Sequence, residues 1–235
     1  TAGWTVRLFD IEQSLVHSAV ESISKRFDRL VEKGQITEEQ SNENKSRIHG
    51  TTDVHELVDC DLIIEAIVED FDIKSKVLTE LCELAPDSII ATNTSSLSVN
   101  ELAHATGYAA RIVGMHFFNP APIMPLVEIV SGTQSAKSAV IRATLIAEAW
   151  GKTVVQASDT PGFIVNRVAR PYYLESWRIV EDGLATVDLV DETLQSLGEF
   201  RMGPFMLTDL IGQDINVATT RSVWNRLGQP SRLAP

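Results

Sequence analysis

Apolar positions along this chain follow two rhythms in turn, and their alternation predicts a layered structure of strands and helices. Thr5-Val6-Arg7-Leu8-Phe9-Asp10 reads as a short strand with Val6 and Leu8 on one face. Leu15, Ala19, Ile23, Phe27, Leu30 and Val31 then recur at helical spacing, with Gly34 as the stop. Thr37-Glu-Glu-Gln40 is a capping box that opens a second, polar helix, and Ser46 to His49 leads out of it. Asp61-Leu-Ile-Ile-Glu-Ala-Ile-Val68 is nearly all apolar, as expected of a strand buried on both faces. A helix is expected from Phe71 to Leu84, ended near Pro86, and a short buried strand over 88–92. Further strands are read at 111–118 and 126–130, an amphipathic helix at 135–150, and a last strand at 153–156.

Strands alternating with helices imply an open, mostly parallel, doubly wound α/β sheet with right-handed crossovers. After Asp159-Thr-Pro-Gly162 the pattern is helical throughout, over 163–181, 187–197 and 205–226. The cluster of Ser, Asp, Thr, Pro and Gly at 157–161 marks a boundary between a sheet domain, 1–158, and an all-helical C-terminal domain, 159–235.

Composition narrows the partners. The 235 residues are 44% hydrophobic and 22% charged, which suits a folded soluble chain. A net charge of −12 opposes binding to nucleic-acid phosphates and to anionic membrane surfaces. No apolar run is long enough to cross a bilayer. Cys60 and Cys82 sit in apolar segments and read as free thiols of a reducing, cytoplasmic compartment. No Cys/His spacing suggests a metal site.

The chemistry-bearing residues gather where strands end, the edge at which open α/β sheets bind ligands. Asp10 ends the first strand, where a carboxylate can accept hydrogen bonds from a ribose diol. Glu65-Ala-Ile-Val-Glu69, Thr92-Asn93-Thr94-Ser95-Ser96 and His116-Phe-Phe-Asn119-Pro120 end three later strands. Taken singly, each has a plain structural reading. His116 fits a satisfied core histidine, and Glu128 an exposed strand residue or a partner of Arg111. Ser95 fits a helix cap and Asn166 a packing contact. Glu69 fits dipole decoration of a first turn, Lys74 a solvated charge and Asn119 a turn residue.

Those motifs, with Asp159-Thr-Pro-Gly-Phe-Ile-Val-Asn-Arg167, Met202-Gly-Pro204 and Asp209-Leu-Ile-Gly212, closely resemble the L-3-hydroxyacyl-CoA dehydrogenase family. The likeness runs nearly end to end. Asn166-Arg-Val-Ala-Arg-Pro171 resembles most the bacterial 3-hydroxybutyryl-CoA and 3-hydroxyadipyl-CoA members. The resemblance implies a Rossmann-like first domain and a place in fatty-acid metabolism. It implies a catalytic His–Glu pair twelve positions apart, which is His116 and Glu128, with Ser95 and Asn166 at the matching intervals. Ser95, His116 and Asn166 are the implied contacts to an acyl-CoA substrate. For NAD the implied residues are Asp10, Ala66, Glu69, Lys74, Asn93, Ser95 and Asn119. A homodimer through the helical domain is implied as well. A glycine-rich phosphate loop is not part of this sequence, and the chain is expected to start inside a βαβ unit and to stop before the helical domain is finished. Two competing readings are a non-catalytic relative on the same scaffold and a dehydrogenase of a free hydroxy acid.

The chemistry needs these groups. Removing hydride from C3 of a secondary alcohol leaves a hydroxyl proton for a base, and histidine titrates near neutrality. A carboxylate on its far nitrogen fixes the tautomer and stabilises the imidazolium. Ser95 and Asn166 can hydrogen-bond the substrate oxygen. Asn166 is expected early in a helix opened by Thr160 as N-cap and Pro161.

Overall fold

A computed structural model describes residues 2–235. The order is β1 (Val6–Phe9), α1 (Gln13–Glu32), α2 (Glu38–Ser46), β2 (Ile48–Thr51), β3 (Leu62–Glu65), α3 (Phe71–Leu84), β4 (Ile89–Thr92), α4 (Val99–Thr106), β5 (Ile112–Phe117), β6 (Leu126–Ser131), α5 (Lys137–Ala149) and β7 (Thr153–Ser158). Helices α6 (Val165–Glu181), α7 (Val187–Ser196), α8 (Pro204–Ile211) and α9 (Gln213–Arg226) follow. This is the Rossmann-like, mostly parallel sheet and helical C-terminal region expected from the sequence.

The strands form a five-stranded sheet, β3-β4-β5-β6-β7, and a separate parallel pair, β1-β2. Every neighbouring pair in the larger sheet is parallel except β5–β6. Alternation along the strands gives the sheet two apolar faces. Ile63, Ile90, Ile112 and Val130 face the side covered by α3 and α4. Ile89, Ala91, Val113, Met115 and Ile129 face Ala139, Ala143 and Ala147 of α5. The small alanine stripe of α5 lets that helix lie close to the sheet.

Local signals hold where local bonds satisfy them. Thr37 and Gln40 bond reciprocally as a capping box, and Gly34 follows α1 with φ +66. The structure also adds and divides elements. Residues 48–51 form a strand beside β1, although His49-Gly50 is weakly apolar. The last helix of the sequence reading is two helices, α8 and α9, parted at Gly212 with φ +100. Helix α4 is capped by Ser98, whose hydroxyl accepts the Glu101 amide at 3.1 Å. Ser95 is therefore not its cap.

Charged groups tie the elements together, both within the helical region and between it and the sheet. Asp159 accepts the Ser98 hydroxyl at 2.5 Å and the Asn100 amide at 2.8 Å, so an acid just past β7 sits on the positive end of α4. Arg170 of α6 is 4% exposed, and burial lowers its pKa. Its guanidinium donates to Asn216 Oδ1 and Thr220 Oγ1 of α9, both at 2.8 Å, and stacks over Tyr173. Arg226 at the end of α9 donates to the Ser96 carbonyl at 2.6 Å.

Replacing Asp159 by Ala removes one acceptor from the first turn of α4 and leaves the Ser98 hydroxyl without its partner. The expected cost is about 1–2 kcal/mol, read as a lower urea midpoint at an unchanged m-value.

Candidate active site

The site is built on the one antiparallel pair of the five-stranded sheet. The β5–β6 register sets His116 directly opposite Glu128. Directly paired residues on antiparallel strands project from the same face, with Cβ atoms about 5 Å apart. The twelve-residue interval in the sequence is thus a register relation across the loop 118–125. Both side chains lie on the α3/α4 face, in line with Ile112, Gly114 and Val130. Gly114 leaves no room for a side chain there: a Cβ would meet Val130 Cβ at 2.8 Å.

His116 Nδ1 lies 2.6 Å from Glu128 Oε2. His116 is 5% exposed and Glu128 is fully buried, at 0%. Glu128 Oε1 accepts the backbone amides of Ile164 and Val165, each at 2.9 Å. These amides belong to the entry of α6. One carboxylate from the sheet region thus serves the imidazole with one oxygen and the start of a helical-region helix with the other. Burial pushes the Glu128 pKa up. The His116 bond and charge, with the two amides, outweigh that and leave it below the ordinary carboxylate value. An ionised carboxylate only accepts hydrogen bonds, so in the neutral imidazole the proton belongs on Nδ1, which leaves the Nε2 lone pair free.

This corrects the expected opening of α6. Thr160 and Pro161 lie in a turn, α6 begins at Val165, and no side chain of its own N-terminal segment caps it. The cap comes from Glu128 instead. Asn166 still falls in the first turn, one residue beyond the second bonded amide. Gly162 and Phe163 adopt φ +78 and +46 and turn the chain into that position. The Phe163 ring contacts the imidazole edge-on at 5.5 Å between centroids, and Phe118 lies at 4.6 Å.

A second polar network lies at the carboxyl ends of β3 and β4. Glu69 Oε1 accepts the Thr94 hydroxyl at 2.6 Å, the Ser95 amide at 3.0 Å, and the Ser96 amide and hydroxyl at 2.9 Å. Burial raises the Glu69 pKa, but the Thr94 and Ser96 hydroxyls, Lys74 and the Ser95 amide together hold it below the usual range. Lys74 is 1% exposed, not a solvated charge. Its ammonium contacts Glu65 at 2.6 Å, the Ile67 carbonyl at 3.2 Å and Glu69 at 3.4 Å. Glu65 also accepts the Thr92 hydroxyl at 2.7 Å and the Ile67 amide at 2.7 Å. Asn93 Oδ1 accepts the Phe117 amide at 3.0 Å, which links this rim to β5.

Of the residues singled out from sequence, His116 and Glu128 are bonded directly. Glu69, Lys74, Asn93 and Ser95 belong to the joined rim networks. Ala66 is exposed at the end of β3, and Asn119 is exposed on the loop after β5, before a cis proline. Asp10 stands apart from these bonds: its carboxylate accepts the Glu12 amide at the entry to α1. Sequence reasoning missed Phe163, Phe118 and the two α6 amides. Phe163 lies inside a quoted motif, but nothing local marks its ring as a neighbour of His116. No metal-binding cluster exists among the described residues.

The donor set suits part of a dinucleotide. Ile67 and Val68, 42% and 62% exposed, offer an apolar ledge beside the Ser95 and Asn93 rim. A flat ring needs such a ledge, with polar groups at its edge.

Comparison with known proteins agrees with this geometry. Residues 1–160 match the 3-hydroxyacyl-CoA dehydrogenase NAD binding domain, and residues 162–235 match its C-terminal domain. The chain is 42% identical to an Escherichia coli 3-hydroxyadipyl-CoA dehydrogenase, over 99% of this chain and 49% of that protein. It is 39% identical to a Mycobacterium tuberculosis 3-hydroxybutyryl-CoA dehydrogenase, over 91% of this chain and 76% of that one. A crystal structure of 3-hydroxybutyryl-CoA dehydrogenase from E. coli superposes with a TM-score of 0.96 at 42% identity, covering 98% of this chain and 49% of that one. The chain thus spans about half the length of its E. coli relatives and about three quarters of the M. tuberculosis one. The matches cover both regions in order, and the chain belongs to the 3-hydroxyacyl-CoA dehydrogenase family.

Proposed function

We propose that the protein of this chain oxidises the 3-hydroxyl of an L-3-hydroxyacyl-CoA to a ketone, with His116 as general base. The observation that carries this reading is the His116–Glu128 pair, with Nδ1 committed to the carboxylate. His116 Nε2 accepts the hydroxyl proton while the C3–H bond breaks. NAD supplies the hydride acceptor when bound. Glu128 stabilises the imidazolium by charge and keeps the ring oriented. Ser95 and Asn166 hold the substrate oxygen, one from the rim of β4 and the other from the first turn of α6. In the reverse direction the same donors polarise the ketone.

For NAD the reading assigns Asp10 to the ribose diol and the segment from Ala66 to Glu69, with Asn93, Ser95 and Asn119, to the nicotinamide half. Lys74 acts from beneath: its buried ammonium bridges Glu65 and Glu69 and so keeps the rim in place. The proposed division into an NAD-binding domain, 1–158, and a substrate and dimerisation domain, 159–235, is supported by the end of β7 at Ser158. A homodimer through the helical domain is supported by exposed Leu184, Leu197, Phe200, Met206 and Leu210. Two free thiols fit a cytoplasmic location.

Turnover of 3-hydroxybutyryl-CoA and of free 3-hydroxybutyrate, followed by NADH absorbance, tests the reading. Activity is expected with the thioester alone; oxidation of the free acid only would reject the acyl-CoA assignment. His116→Gln is expected to abolish turnover without loss of fold. Glu128→Gln keeps an oxygen for the α6 amides but presents an amide to Nδ1, which forces the other tautomer and blocks Nε2. Its kcat is expected to fall by roughly 100-fold or more, with circular dichroism unchanged.

The acid side has a definite sign. Glu69 and Glu128 have folded pKa values below their unfolded value of about 4.3. Their contribution to stability is complete above that pH and is lost as pH falls through the lower folded values. Urea-unfolding free energy is expected to decline from about pH 4.3 downwards, and to decline less steeply in Glu69→Gln.

A further inference from the structure

We infer that Phe163 is a positioning residue for His116, acting through both the imidazole and the Glu128 carboxylate. The inference rests on His116 as the base and adds to that reading a residue outside the His–Glu pair.

Position 163 meets two demands that ordinarily conflict. Its backbone is left-handed, with φ +46. A residue with a bulky side chain is disfavoured there, and glycine or asparagine is the usual occupant. Yet the side chain is a large aromatic, only 4% exposed and packed with the core on the α3/α4 face of the sheet. Backbone strain of this kind survives only where the surroundings over-determine it, and such places cluster at functional sites.

The surroundings give each half of the conflict a use. Gly162 and Phe163, left-handed in succession, turn the chain so that the next two amides, of Ile164 and Val165, converge on Glu128 Oε1. That close turn also requires Gly162, because a Cβ there would meet Val223 Cγ2 at 2.9 Å and the Arg167 amide nitrogen at 3.1 Å. The ring of Phe163 then lies edge-on to His116 at 5.5 Å, and Phe118 makes a second ring contact at 4.6 Å. With Glu128 on Nδ1, the imidazole is held by one bond and two aromatic walls. A ring that could swing about the Nδ1–Glu128 bond would carry Nε2 off the line to the substrate hydroxyl. The wall at 163 restricts that swing, and the backbone at 163 keeps Glu128 tied to α6.

The alternative is that Phe163 merely fills the core. Three variants separate the two cases. Phe163→Leu keeps apolar bulk but loses the flat wall. Phe163→Gly relaxes the backbone but removes the side chain. Leu78→Ala, on α3, fully buried and making none of the site's hydrogen bonds or ring contacts, serves as a stability control. Two readouts are taken on folded protein. One is kcat and KM with 3-hydroxybutyryl-CoA. The other is the Nδ1–H resonance of His116 in ¹⁵N-histidine-labelled protein without substrate or cofactor, assigned by its absence in His116→Gln.

If Phe163 positions the base, Phe163→Leu lowers kcat at least ten-fold, towards the roughly 100-fold that an ångström of misplacement costs. KM stays within about two-fold, the pattern of an interaction lost only in the transition state. The Nδ1–H signal broadens in both Phe163 variants. Leu78→Ala loses stability but keeps the wild-type kcat and a sharp signal. A sharp, unshifted Nδ1–H signal in Phe163→Leu overturns the inference, as does a wild-type kcat in that variant. The resonance is measured without turnover, so a chain inactive on every thioester would contradict the proposed function and still leave the test of Phe163 decided.

Discussion

The Glu128 carboxylate is the group on which both halves of this molecule depend. It is wholly buried and belongs to a strand of the central sheet. A carboxylate removed from water keeps its charge only when enough donors replace the lost hydration. Here three do: the His116 imidazole and the amides of Ile164 and Val165. Their combined effect exceeds the cost of burial, since the pKa is lowered. Two of those donors lie at the start of α6 and the third is the proposed base. The orientation of the imidazole and the attachment of α6 therefore share one ion. Neither can be altered without exposing the other to an unpaired buried charge, which is far costlier than a lost surface contact.

The rim beside this pair follows the same rule. Glu65, Lys74 and Glu69 form a chain of alternating charge whose first two members are buried, and the hydroxyls of Thr92, Thr94 and Ser96 donate to its two carboxylates. A densely bonded network resists rearrangement, because moving one member leaves another unpaired. Glu69 holds the Ser95 amide of this segment, while Arg226 of α9 donates to the Ser96 carbonyl. Ser95 and Asn166 thus stand on backbones whose neighbouring amides are held by Glu69 and Glu128.

Legibility from sequence followed the range of the forces. The capping box at Thr37 and the stop at Gly34 were readable because both partners lie within a few residues. The His116–Glu128 pair was legible only through the family resemblance; the antiparallel register is what turns its twelve-residue interval into contact. The start of α6 was not: Thr160-Pro161 carries a local cap signal, but the acceptor for its amides arrives from residue 128. Lys74 reads as an exposed helical lysine until β3 brings Glu65 beside it. Residues 48–51 carry little apolar signal and become a strand by pairing with β1. The break at Gly212 lies within a periodic apolar pattern, which on its own reads as one helix. At α6, Lys74 and residues 48–51 a long-range polar bond or backbone pairing overrode a local preference, whereas at Gly212 a glycine with φ +100 breaks the helix locally.

Amide hydrogen exchange at Ile164 and Val165, measured in the wild type and in Glu128→Ala together with kcat on 3-hydroxybutyryl-CoA, tests this account most directly. If one carboxylate serves both the base and the helix, the two amides lose protection and turnover collapses in the same variant, while amides in the centre of β4 keep theirs. Preserved protection at residues 164 and 165, or a kcat near that of the wild type, would contradict it.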